Sequence, residues 1–129
     1  MTKKIITPKN RILVGEDDKN YANIFRLKLE KEGYEVLLAS NGKEVLETAK
    51  HEEPQLILLD IIMPIQNGFD TLKILKSDVD LLHIPVIMVS NLGQDEDVKK
   101  AEKLGASDYL IKANISIQEM VEKVRVYMK

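Results

Sequence analysis

The stretch Leu56-Ile57-Leu58-Leu59-Asp60 decides the architecture, because its first four positions are all apolar where a half-buried strand would alternate. An unbroken run of this kind suits a strand covered on both faces, as in the middle of a parallel sheet. It closes in one carboxylate, Asp60, followed by Ile61-Ile62-Met63-Pro64. In open α/β sheets, ligands and chemistry gather at the carboxyl ends of the strands, which makes Asp60 a candidate site residue. The competing reading is an aspartate that only starts a turn ahead of Pro64.

Toward the N-terminus, Arg11-Ile12-Leu13-Val14-Gly15 forms a short apolar run that passes into Glu16-Asp17-Asp18. Tyr21, Ala22, Ile24, Phe25 and Leu29 then share one helical face, and Gly33 supplies a stop. Asp18 is a candidate N-cap, and acidic side chains suit the positive end of a helix dipole. Capping accounts for one or two of the three carboxylates and leaves at least one over. A second strand is expected over Tyr34–Ala39. Asn41, followed three residues later by Glu44, opens a helix to about Lys50, and Pro54 closes the connection to the central strand.

Beyond Asp60, a loop with Pro64, Asn67 and Gly68 leads into a helix that turns Phe69, Leu72 and Leu75 inward. Pro85–Val89 reads as a fourth strand ending in Ser90-Asn91. A helix from Asp95 carries Val98, Ala101 and Leu104 and stops at Gly105. Tyr109–Ile111 is a short fifth strand ending at Lys112, and Ser116 with Glu119 has capping-box spacing for a last helix. Five strands alternating with five helices predict an α/β fold, a doubly wound (βα)5 three-layer sandwich with a parallel sheet. Right-handed crossovers and short loops favour the flavodoxin-like strand order 2-1-3-4-5.

With 129 residues the chain has the length of one domain, expected over 11–129 behind a flexible lead-in at 1–10. Apolar residues at 44% and charged ones at 31% belong to a globular protein, and a net charge of −2 argues against a general grip on nucleic acid. The absence of cysteine removes disulfides and thiolate metal sites. Neither a signal peptide nor a run of membrane-spanning length is present, so the expected location is the cytoplasm.

In the predicted order, the residues after strands one, three, four and five converge on one edge: Glu16 and Asp17, Asp60, Ser90, and Lys112. Carboxylates gathered this closely repel one another unless a cation intervenes, and an all-oxygen site with few ligands suits Mg²⁺. A carboxylate can also act as a nucleophile toward phosphorus, with a lysine and a hydroxyl holding the oxyanion. Singly, Lys112 is also readable as a solvated strand terminus and Tyr109 as an aromatic packed at the sheet edge. His51 and His83 read as surface or loop residues.

This constellation resembles the receiver domain of two-component response regulators, from about Arg11 to Met128. The resemblance implies that Asp60 accepts a phosphoryl group from a phosphohistidine on a histidine kinase or histidine phosphotransfer protein. Mg²⁺ would be held by Asp17, Asp60 and the backbone carbonyl of Ile62, with Glu16 acting through water. Lys112 and Ser90 would bind phosphoryl oxygens, and Tyr109 would be the switch aromatic. Its turning would alter the surface of the fourth helix, fifth strand and fifth helix, where a downstream protein target binds. Such a domain is not an enzyme beyond promoting its own phosphorylation and slow dephosphorylation.

Two alternatives stand beside this reading. A Mg²⁺-dependent phosphatase with a strand-end aspartate nucleophile, as in the haloacid dehalogenase family, would carry a second aspartate at the position of Ile62. A phosphorylation-independent interaction module would not need the acidic pair, acceptor, hydroxyl and lysine together. No output domain is expected after the fifth helix, and no direct contact with nucleic acid or membrane. Two departures from the family pattern matter. Ala113 stands where a proline is usual, so the Lys112–Ala113 bond is expected to be trans and the reach of Lys112 is in question. The resemblance implies that Ile62 and Leu92 would flank the approach of water to phosphorus, and neither side chain hydrogen-bonds, which predicts slow self-dephosphorylation. Asn91 adds bulk beside them, either screening the phosphoryl or holding a water.

Overall fold

A computed structural model describes residues 10–129; residues 1–9, which make up all but the last position of the expected lead-in, lie outside the described residues. The strands are β1 (Arg11–Gly15), β2 (Glu35–Ala39), β3 (Leu56–Leu59), β4 (Val86–Ser90) and β5 (Asp108–Ile111). The helices are α1 (Lys19–Lys31), α2 (Gly42–Glu52), α3 (Gly68–Ser77), α4 (Asp95–Lys103) and α5 (Ile117–Tyr127). They alternate strictly, and the sheet has the expected order β2-β1-β3-β4-β5 with every neighbouring pair parallel. Boundaries move by one or two residues from those expected, and the largest shift is the extension of α2 to Glu52.

The pleat explains why the central strands are apolar throughout. Leu13, Ile57, Leu59, Val86 and Met88 enter one core cluster with Leu72 and Leu75 of α3 and Val45 of α2. Ile12, Val14, Leu56, Leu58, Ile87 and Val89 enter the other, with Phe25 of α1 and Val121 and Val124 of α5. Successive side chains of one strand thus fill opposite cores, so no polar position is left. Each fully buried leucine of β3 contributes about 1.5–3 kcal/mol.

Helix ends largely follow the residues that signalled them. The Asp18 carboxylate accepts from the backbone N–H groups of Asn20 and Tyr21 at the start of α1, and Gly33, at φ 98°, ends it. Ser116 and Glu119 form the reciprocal capping box of α5. Two details differ from expectation. Ile24 is 47% exposed, because at 3.6 residues per turn it lies more than about 100° from the centre of the Tyr21, Ala22, Phe25 and Leu29 face. The Glu44 carboxylate accepts from Ser40 N–H (2.5 Å), one residue before the Asn41 cap. The α4 helix starts at Asp95 as expected, and its N-cap is Gln94, whose N–H donates to the Asp97 carboxylate (3.3 Å).

Candidate functional site

Glu16, Asp17, Asp60, Ser90 and Lys112 meet at the carboxyl edge of the sheet because β1, β3, β4 and β5 all end there. Each strand delivers its polar group where backbone pairing stops. Glu16 N–H still donates to Ala39 C=O, Asp60 N–H to Gly15 C=O, and Lys112 N–H to Ser90 C=O (2.9, 2.9 and 3.0 Å). The site residues are therefore fixed by the last rungs of the ladder. The loop after Asp60 is held close by Gly68, whose N–H donates to Ile61 C=O (2.8 Å). A Cβ at Gly68 would lie 2.1 Å from the Asp60 carbonyl oxygen, so only glycine fits. Within this loop Ile65 adopts φ 70°, an uncommon backbone for a β-branched residue, and its side chain is 73% exposed.

Asp60 is 6% exposed and Glu16 is 4% exposed, whereas Asp17 is open to solvent. One Asp60 oxygen accepts from Ile61 N–H (2.7 Å) and the other from the Lys112 ammonium (2.9 Å). The ammonium also pairs with Glu16, whose second oxygen accepts from Asp18 N–H (3.0 Å). The Lys112 side chain is buried between these carboxylates, which removes the reading of a solvated strand terminus. Its burial would lower the lysine pKa, but hydrogen bonds and charge from Glu16 and Asp60 outweigh that and hold it above the ordinary value. Burial dominates at Glu16, raising it to about 7 against the opposing pull of Lys112 and Asp18 N–H.

Glu16, Asp17 and Asp60 each offer one carboxylate oxygen, all within 4.8 Å of one another. Such an oxygen-only donor set fits a hard divalent cation, and a cation there would relieve the repulsion between Glu16 and Asp60. Asp18, the third carboxylate of the run, is taken by the α1 cap. Ile62 lies in the loop two residues past Asp60, with its side chain 62% exposed.

Ser90 is buried, and its hydroxyl accepts from Leu92 N–H (3.2 Å). Tyr109 is half-buried, packs against the α2–α3 side of the core, and donates its hydroxyl to Leu92 C=O. Burial, with smaller contributions from the Asp97 and Asp60 charges, pushes its phenol up to about 12. Ser90 and Tyr109 thus hold opposite sides of one residue, Leu92. The Leu92 side chain packs on the same core, which leaves Ile62 as the exposed member of the pair expected to flank the phosphorus.

Two residues of the site were assigned less specific places from the sequence. Tyr21, read only as part of an apolar helix face, lays its ring 4.4 Å from the Lys112 ammonium. Asn91, expected to screen the site or hold a water, instead accepts from Ala113 N–H through Oδ1 (3.1 Å). The Lys112–Ala113 peptide is trans, and Lys112 reaches Asp60 all the same. His51 and His83 are both exposed; the His51 ring lies 2.8 Å from Glu47 C=O within α2, and neither belongs to the site.

Comparison with known proteins matches residues 12–125 to the response regulator receiver domain family. The polar-differentiation response regulator DivK of Brucella anthropi is 35% identical over 121 residues, covering 94% of this chain and 97% of that one. Among solved structures, the receiver domain of Francisella response regulator 1452 is 32% identical, with a TM-score of 0.86 over 93% of this chain and 97% of that one. The BeF3-activated N-terminal receiver domain of Klebsiella pneumoniae RstA is 25% identical with a TM-score of 0.86, over 93% and 99%.

Proposed function

Because the chain belongs to the response regulator receiver domain family, we propose that Asp60 is its phosphoacceptor and that residues 11–129 act as one phosphorylation-driven switch. The observation that carries this reading is the buried Asp60–Lys112 pair (2.9 Å) at the end of the central strand, beside an acidic pair. A carboxylate oxygen of Asp60 attacks phosphorus, forming a P–O bond as the P–N bond to the donor histidine breaks. The electron pair of that bond returns to the imidazole nitrogen, which takes up a proton. Lys112 follows the charge as it moves onto the phosphoryl oxygens, and the Ser90 hydroxyl donates to one of them.

Asp17, Asp60 and the Ile62 carbonyl would hold Mg²⁺, with Glu16 acting through water; bound there, the ion supplies positive charge that offsets the phosphoryl oxygens. Glu16 and Asp17 bind and orient, Glu16 from a buried position beside Lys112 and Asp17 from the solvent side. When Ser90 moves toward a phosphoryl oxygen, the Leu92 backbone that it shares with Tyr109 is drawn along. Tyr109 then changes position, which alters the α4–β5–α5 face for a downstream protein. A phosphohistidine on a histidine kinase or phosphotransfer protein is the donor.

Treatment with phosphoramidate in Mg²⁺ is expected to add one phosphoryl group by intact mass, and Asp60→Asn to abolish the addition. Equal labelling of Asp60→Asn would move the acceptor to another carboxylate, with the solvent-exposed Asp17 of the same cluster the first candidate. The position of Ile62, where an aspartyl-nucleophile phosphatase would need its second aspartate, favours the signalling reading over that enzyme.

A further inference from the structure

Asn91 lies just past β4 and Ala113 just past Lys112, and the strand ladder has ended at both. The last backbone rung between β4 and β5 is Lys112 N–H to Ser90 C=O (3.0 Å). One residue further on, the Asn91 side chain takes the place of a backbone carbonyl and accepts from Ala113 N–H (3.1 Å). The two peptides that flank the Lys112 Cα are therefore both anchored, one by Ser90 and the next by Asn91. Fixing both peptides fixes the direction in which the long lysine side chain leaves the backbone, and a lysine has four flexible carbons over which a small error in that direction would grow. At its far end the ammonium meets Asp60, Glu16 and the Tyr21 ring.

We propose that Asn91 is a positioning residue that aims Lys112 at Asp60 by holding the Ala113 amide, in effect adding a side-chain rung to the sheet. The proposal rests on Asp60 and Lys112 being the phosphoryl site, and goes beyond it in assigning this role to a residue that touches neither. The rung also couples the loop that carries Ser90 to the loop that carries Lys112, so the hydroxyl and the ammonium approach a phosphoryl group as one unit. The bond requires an N–H at position 113, which alanine has and proline would lack.

The test uses the full chain and two readouts. In NMR spectra without phosphodonor, Asn91→Leu is expected to remove hydrogen-exchange protection of the Ala113 amide and to shift the Lys112 Cε signal. Asn91→Asp, which retains an acceptor at the same place, is expected to keep the protection. In labelling by phosphoramidate with Mg²⁺, Asn91→Leu is expected to slow the rate about two- to tenfold, the worth of one hydrogen bond. In a Lys112→Ala background the same substitution is expected to have no further effect, because its action passes through the lysine. An unchanged Lys112 Cε signal in Asn91→Leu, or equal slowing with and without Lys112, would overturn the proposal. Failure of the unmodified chain to label at Asp60 would instead remove the phosphoacceptor reading, while the NMR arm would still decide whether Asn91 positions Lys112.

Discussion

Tyr109 is half-buried and Ile62 is exposed, and each bears on a measurable property of the protein. The Tyr109 phenol is raised from 10 to about 12, chiefly by burial. A group whose folded value is raised contributes stability that is fully present below its unfolded value and lost as pH rises through the folded one. The part due to Tyr109 is thus complete below about pH 10 and disappears toward 12. In a phenolate absorbance titration, Tyr109→Phe is expected to remove one ionisation near 12 from the folded protein. Loss of a step near 10 would place the hydroxyl in water and not on Leu92 C=O. Ile62 acts on a different quantity. Its side chain stands exposed in the loop after Asp60 and cannot hold a water by hydrogen bonding. Ile62→Asn is therefore expected to speed decay of the phosphorylated protein on the order of tenfold, the worth of one hydrogen bond to a positioned water. The check is the decay rate in Mg²⁺, and an unchanged rate would mean that water placement is not limiting. Leu92, packed on the core, is the less informative position for such a change.

Among the elements, the loop from Asp60 to Gly68 is pinned at its end by the close approach of Gly68 to the Asp60 backbone. Gly68→Ala would drive a Cβ to 2.1 Å from the Asp60 carbonyl oxygen and 2.7 Å from the Ile61 Cα, both backbone atoms that cannot rotate away. The expected cost is about 1–3 kcal/mol, read as a lower urea midpoint, together with slower labelling as Asp60 is displaced. A variant with unchanged stability and labelling would show that the loop can move aside. The elements themselves were legible in the sequence because their signals are local: the unbroken β3 run, the Asp18 and Ser116 caps, and Gly33 after α1. The site residues were legible through topology, since once the strand order is set their places at strand ends bring them together. Two contacts were not legible. Tyr21 sits on an apolar stripe that periodicity assigns to the core, and only the packing of α1 beside Lys112 turns its ring toward a cation. The Asn91–Ala113 bond joins residues 22 positions apart through a side-chain amide, and no pattern of hydropathy or spacing encodes such a pair.

Across the whole molecule, two cores on opposite sides of one sheet are filled from the same strands, so removal of any central strand opens both. The β1 strand sits between β2 and β3 and is paired along both edges. Its pairing with β2 joins Ile12 to Val36, but its pairing with β3 joins Ile12 to Leu56, across a much longer stretch of chain. During synthesis, β1, α1 and β2 would emerge first with one edge of β1 still bare and the Glu16 side facing no Asp60. Closing that distance costs more loop entropy than the β1–β2 pairing does, so the β3 run has to repay the larger closure cost. The same four apolar residues that carry Asp60 to its place therefore also offset the entropy of closing the longer of the two β1 pairings.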